Sequence, residues 1–221
     1  MKYIVVDLEM NPIQSKLKQE RKICKNEIIQ IGAVCLNEDY DEIAEFKTYV
    51  CPQINPVVIN RIRKLTHITT EMVQGAPDFQ RAMAMFFEWC GSFEGEVQIF
   101  QWSKNDYDQI RKEMILKHYE LCGREAEFMK EEWMDLQDEF DRLTGFKRVQ
   151  SLSTALNLMC CDFRGKQHDA LDDARNEAML LKELRTSGES RLAEIAKAME
   201  ETTFTFTLAD VLDLSGLKLS A

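Results

Sequence analysis

Asp7 and Glu9 stand two positions apart, directly after an apolar, largely β-branched run at residues 3–6. On a strand, side chains two apart point to the same face. The run therefore delivers two carboxylates side by side at its C-terminal end. Like charges held that close repel, and a shared hard dication such as Mg2+ relieves the repulsion, because such ions prefer carboxylate oxygen. A strand that merely ends in solvent would show the same pair. Asp106 is the second group. It follows a short apolar run at 97–100 and the loop Gln101-Trp102-Ser103-Lys104-Asn105, and it opens a helical stretch. A carboxylate there also suits the helix dipole or an N-cap. The third group is His168-Asp169-Ala170-Leu171-Asp172-Asp173. Asp169 suits the N-cap of the helix that follows and Asp172 its first turn, while Asp173 lies at the margin of its apolar stripe. His168, just ahead of that helix and beside its acids, is a candidate proton shuttle, since imidazole changes charge near neutral pH.

Ordered elements must carry these groups. The pattern predicts strands at 3–6, 27–36, 43–50 and 97–100, with a turn at Asn37-Glu38-Asp39 joining the second and third. It predicts helices over 57–65, 79–90, 106–119, 136–143, 152–160 and 169–185, the last with Leu171, Ala174, Ala178 and Leu181 on one stripe. Three early strands followed by alternating helix and strand indicate an α/β domain with a mixed sheet. Residues 15–25 carry Lys16, Lys18, Arg21, Lys22 and Lys25 against Glu20 alone, and read as a polar connection. The weak boundary is at 187–189. Residues 1–186 are expected to form the main domain. Residues 187–221, with a helix at 191–199 and a strand-like alternation at 203–208, are expected to pack on it or on a second copy of the chain.

Taken in order, D-x-E after the first strand, an Asp after a Trp-containing turn, and H-x-x-x-x-D opening a late helix resemble the DEDDh family of 3′-to-5′ exonucleases. Glu27-Ile28-Ile29-Gln30-Ile31-Gly32-Ala33-Val34 resembles the family's second strand. Leu65-Thr66-His67-Ile68-Thr69 resembles its L-T-G-I-T segment, and residues 168–177 resemble its third motif. Within the family, residues 100–110 look most like the histone-mRNA and small-RNA trimming exonucleases and the bacterial sporulation-inhibitor-like proteins. The resemblance covers residues 1–186.

The resemblance implies an RNase H-like fold, a central mixed sheet of about five strands flanked by helices. It implies that Asp7, Glu9, Asp106 and Asp173 hold two Mg2+ ions, for which Mn2+ substitutes. Glu9 and His168 are the implied catalytic residues, His168 as general base. The implied reaction hydrolyses phosphodiester bonds from the 3′ end of single-stranded RNA or DNA and releases nucleoside 5′-monophosphates. Two ions about 4 Å apart stabilise both ends of such an in-line displacement. Leu8, Met10, Asn11 and Tyr107 are the implied substrate contacts, Tyr107 offering a ring on which a base can stack; the equal alternative for Tyr107 and Met10 is simple packing in the core. The basic segment from Lys16 to Lys25 reads first as a solvated face, with guidance of the nucleic-acid backbone inward as its second reading. Asn11 stands where this subgroup has Thr, Ser103 where it has Gly after Trp, and His67 where L-T-G-I has Gly. These departures leave open a second reading, a nucleic-acid-binding or interaction module that keeps the fold without turnover.

Composition bounds the alternatives. The 221 residues are 45% hydrophobic and 30% charged, the mix of a soluble globular protein. The net charge of −10 repels phosphate at long range, which excludes a protein that coats nucleic acid by charge alone. The seven cysteines show no C-x-x-C pair and read as reduced thiols. The N-terminal apolar run is too short for a signal segment, and no run approaches the ~20 apolar residues of a membrane helix. A cytoplasmic protein without a membrane partner is expected. Neither G-x-x-x-x-G-K-[ST] nor G-x-S-x-G occurs.

Overall fold

The N-terminal apolar run forms β1 (Lys2–Pro12), in which Ile4, Val5 and Val6 are completely buried. A strand covered on both faces needs apolar side chains at consecutive positions, which is why its sequence does not alternate. The structure, a computed structural model, describes residues 1–121, 123–146, 149–186, 190, 192–195 and 197. α1 (Lys18–Ile23) follows β1 and leads into the hairpin of β2 (Asn26–Leu36) and β3 (Glu42–Tyr49). Asn37 forms its turn by accepting the Asp39 and Asp41 N–H groups on Oδ1, each at 2.9 Å. Then come α2 (Asn60–Thr66), α3 (Thr70–Gln74), α4 (Phe79–Gly91), β4 (Val97–Gln101), α5 (Asn105–Leu116) and α6 (Glu125–Phe128). The last described elements are β5 (Met134–Asp135), α7 (Leu136–Thr144), α8 (Leu152–Leu158) and α9 (Ala170–Thr186).

Among the described residues, five strands lie in the order β3-β2-β1-β4-β5. β1 pairs antiparallel with β2 and parallel with β4, so the sheet is mixed. Apolar side chains cover both faces. Ile4, Val6 and Leu8 pack on one side against Phe79, Met83 and Phe86 of α4 and Ile110 of α5. Val5 packs on the other with Phe140 of α7, Leu156 of α8 and Ala174 of α9. Burying one such phenylalanine contributes about 2–3 kcal/mol.

Four elements were absent from the sequence reading. α1 lies inside the stretch read as a polar connection, and it buries none of its residues, so no apolar period announces it. α3, α6 and the two-residue β5 are too short to carry a period of their own. Of the expected tail, residues 192–195 are helical and Ile195 is buried against the α9 side of the core. The strand-like segment 203–208 lies outside the described residues. Among the described residues, no helix is long and apolar enough to cross a membrane.

Candidate active site

Alternation along β1 puts Asp7 and Glu9 on the α9 side with Val5, opposite Leu8. Across the antiparallel pair Asp7 faces Gly32 and Glu9 faces Gln30. The same β2 residues receive the start of α9. Gln30 Oε1 accepts the Ala170 N–H at 2.9 Å, and Lys47 on β3 pairs with Asp169 at 2.6 Å. Asp169 begins the helix by accepting the Leu171 and Asp172 N–H groups at 3.2 and 3.4 Å. Burial disfavours its charge, but Lys47 outweighs burial and holds the Asp169 carboxyl below its ordinary range. His168 precedes it in the left-handed region, φ 64°, and its N–H donates to Asp173 Oδ2 at 2.8 Å. Asn176 fastens the preceding loop, exchanging hydrogen bonds with the Arg164 N–H and C=O at 2.8 and 2.7 Å.

Glu9, His168 and Asp173 each present a ligand atom within 4.8 Å of the other two. His168 Nδ1 stands 4.0 Å from Glu9 Oε1, beyond hydrogen-bonding distance. Asp106 arrives from the other side of the sheet end, in the first turn of α5. The N-cap there is Lys104, with no side-chain cap bond, so Asp106 is not spent on capping. Gln101, ending β4, sets the position of α5 by accepting the Tyr107 N–H at 2.9 Å and donating to the Trp133 carbonyl at 3.3 Å.

The electrostatics of this cluster are unbalanced. Burial, followed by Asp173 and Asp106, pushes the Glu9 carboxyl up to about 8. Burial pushes Asp106 up to about 8, and Asp173 to about 6 despite the His168 N–H. Burial, then Asp106, Glu177, Asp173 and Glu9, pushes the Asp7 carboxyl well above its ordinary range. Glu177, which no sequence motif singles out, is 1% exposed, and its Oε2 has no hydrogen-bond partner among the described residues. Its spacing was the available signal, because Asp173 and Glu177 lie four apart on one helix face. Among the described residues no lysine or arginine pairs with Asp7, Glu9, Asp106, Asp173 or Glu177. Crowded carboxylate oxygens beside one imidazole suit hard dications such as Mg2+ or Mn2+, which remove the repulsion.

Two clefts meet at Asp7 and Trp102. The larger, about 760 Å³, runs past Asp106, Leu8 and Met10 to Arg21, Lys22, Lys25 and Lys112. The smaller, about 300 Å³, holds His168, Asp173 and Glu177. Two expected substrate contacts do not reach either cleft. Tyr107 is 5% exposed; its ring packs edge-on to Trp133 and its hydroxyl donates to the Met129 carbonyl at 3.0 Å. Asn11 is completely buried, donating to the Val57 carbonyl at 3.0 Å and accepting the Ile59 N–H at 3.1 Å. It therefore ties the end of β1 to the segment before α2. The other departures also have structural accounts. His67 caps α2 in the left-handed region, φ 62°, where glycine is favoured, and Ser103 Oγ accepts the Asn105 N–H at 3.4 Å within the turn.

The family model for an exonuclease, RNase_T, matches residues 4–181, and the chain belongs to that exonuclease family on an RNase H-like fold. Membership implies a divalent-cation requirement. Among curated relatives, ERI1 exoribonuclease 2 of Xenopus laevis is 27% identical over 211 residues, covering 84% of this chain and 28% of that protein. The Danio rerio ERI1 exoribonuclease 2 is 27% identical over 210 residues, covering 84% of this chain and 35% of its own length. The chain thus spans about a third or less of these relatives. A 3′-exonuclease solved in specific recognition of the 3′ end of a histone mRNA stem-loop superposes with a TM-score of 0.73 at 18% identity, over 85% of this chain and 82% of that one. The nuclease domain of 3′hExo, a DEDDh family member bound to rAMP, superposes at 0.72 with 21% identity, over 85% and 92%. At these identities the two structures show the fold alone.

Proposed function

We propose that this chain hydrolyses single-stranded RNA from its 3′ end, one nucleoside 5′-monophosphate at a time, with two Mg2+ ions held by Asp7, Glu9, Asp106 and Asp173. The observation that carries the reading is the convergence of Glu9, His168 and Asp173, from elements far apart in sequence, into one acidic cluster beside Asp7 and Asp106 that no lysine or arginine among the described residues balances. RNA is preferred over DNA because the relatives matching most of the chain are named exoribonucleases.

The bound cations would neutralise the carboxylates and the charge that develops on the phosphate and on the departing 3′-oxygen. The chain's own residues supply the rest. His168, its side chain 48% exposed at the rim, accepts the proton of the attacking water. The new P–O bond forms as the P–O3′ bond breaks, so the shortened strand keeps a 3′-hydroxyl and the phosphate leaves on the released nucleotide. Trp102, at the junction of the clefts, takes the base-stacking role that Tyr107 cannot fill. Lys22 and Lys25, which make no ion pair among the described residues, attract the preceding phosphates into the larger cleft.

The test is a pair of matched 5′-labelled single strands, RNA and DNA, incubated with Mg2+. A ladder of 3′-shortened products on RNA, abolished by a chelator, is expected. A faster ladder on DNA would overturn the substrate assignment. No ladder on either strand would leave the binding-module reading, which the structural accounts of Asn11, Ser103 and His67 do not favour.

A further inference from the structure

We propose that Glu177 is a fifth carboxylate of the cation site, binding the same hard dications as Asp7 and Asp106 from the inner wall of the smaller cleft. The inference rests on the nuclease reading and extends its ligand set.

Glu27 and Glu113, buried as deeply as Glu177 but outside the cluster, differ from it in their partners. Glu27 is completely buried, and it accepts the N–H groups of Gln53, Ile54 and Asn55 at 2.8, 3.0 and 2.6 Å and pairs with Lys117 at 3.0 Å. Glu113, equally buried, accepts the Ile28 N–H at 2.8 Å, the Gln109 amide at 2.9 Å and Lys117 at 2.7 Å. Each has the donors that a buried carboxylate requires. Glu177 is just as deeply placed, yet among the described residues its Oε2 meets no donor. The charged groups around it are acids, Asp106, Asp173 and Asp7. A side chain held there only for packing would be better apolar, since an unsatisfied buried polar group costs about 1–3 kcal/mol. The missing partner must therefore be something that also suits its acidic neighbours. A dication is such a partner.

The placement fits. Glu177 lies one helical turn beyond Asp173 on the same face of α9, and it lines the cleft that also holds Asp7, His168 and Asp173. The helix thus presents two carboxylates to the cluster, and its backbone, anchored on β2, fixes both together.

The experiment compares the whole chain with its Glu177→Gln variant, which keeps the side-chain shape and removes the charge. Calorimetric titration with Mn2+ alone is expected to show Kd raised about tenfold or more in the variant. In melts without metal, Glu177→Gln is expected to be at least as stable as the parent, and its gain in melting temperature on adding Mn2+ is expected to be smaller. A purely structural role would leave that gain unchanged. If the parent binds Mn2+ and degrades RNA while the variant binds Mn2+ equally well, the assignment of Glu177 is wrong and the nuclease reading stands. If the parent takes up no Mn2+, both fail together.

Discussion

Asp7 and Gly32 face each other across the antiparallel β1–β2 pair, and Gly32 lies directly under the backbone of α9. A Cβ at position 32 would lie 2.2 Å from the Ala170 carbonyl carbon and 2.2 Å from the Leu171 nitrogen. The strand position opposite the central carboxylate therefore carries no side chain because a helix start rests there. That contact sets how close Asp173 and His168 come to Asp7 and Glu9.

Gly32→Ala should accordingly damage both fold and chemistry. The clash is with backbone, so α9 must shift, at a cost of about 1–3 kcal/mol or more. A displacement near 1 Å at the site can lower turnover about a hundredfold. Thermal melts combined with turnover per folded molecule would check this. Normal turnover in the variant would mean that α9 is not positioned by this contact.

The raised carboxyls make metal-free stability depend on pH in a defined direction. Glu9 moves from 4.5 to about 8, Asp106 from 3.8 to about 8, and Asp173 from 3.8 to about 6. Between those limits the folded protein binds more protons than the unfolded one, so stability falls as pH rises. Without divalent ions, the melting temperature should drop progressively from about pH 4.5 to about pH 8. Saturating Mn2+ should flatten the drop, because the cation favours the charged form. A melting temperature that climbs over that window in the absence of metal would contradict the cluster's electrostatics.

Removal of the imidazole should separate proton transfer from cation binding. His168→Ala is expected to lower kcat by about 10²–10⁴-fold, while calorimetry shows Mn2+ affinity close to that of the parent. Full turnover at neutral pH in this variant would remove His168 from the reaction.

Asn11 offers the opposite kind of test. Its side chain bonds the Val57 carbonyl and the Ile59 N–H inside the protein, at 3.0 and 3.1 Å. Asn11→Ala should cost about 1–3 kcal/mol of stability, and KM for an RNA oligonucleotide, measured well below the melting temperature, should hardly change. A raised KM at unchanged stability would return Asn11 to the substrate.

Replacing Lys22 and Lys25 with glutamate should raise KM and make binding less salt-dependent, since each phosphate contact releases counterions. Equal salt slopes for parent and variant would place the strand elsewhere.

Much of this architecture was legible from local pattern. Strand periodicity placed Asp7 and Glu9 on one face, the apolar spacing located α4, α5 and α9, and the ordered motifs singled out Asp106, His168 and Asp173. These are properties of a residue and its near neighbours in the chain. The inward course of Tyr107 and Asn11 was not legible, because Met129, Trp133, Val57 and Ile59 meet them only after the sheet and its loops assemble. α1 stayed hidden because it buries nothing, and β5 because two residues form a strand only where β4 offers an edge. Glu177 looked like an ordinary helical acid until α9 settled on Gly32 and turned it toward Asp7 and Asp106. Backbone propensity and period are set within a few residues, whereas the partner or the solitude of a buried charge is set by packing between elements far apart in the chain.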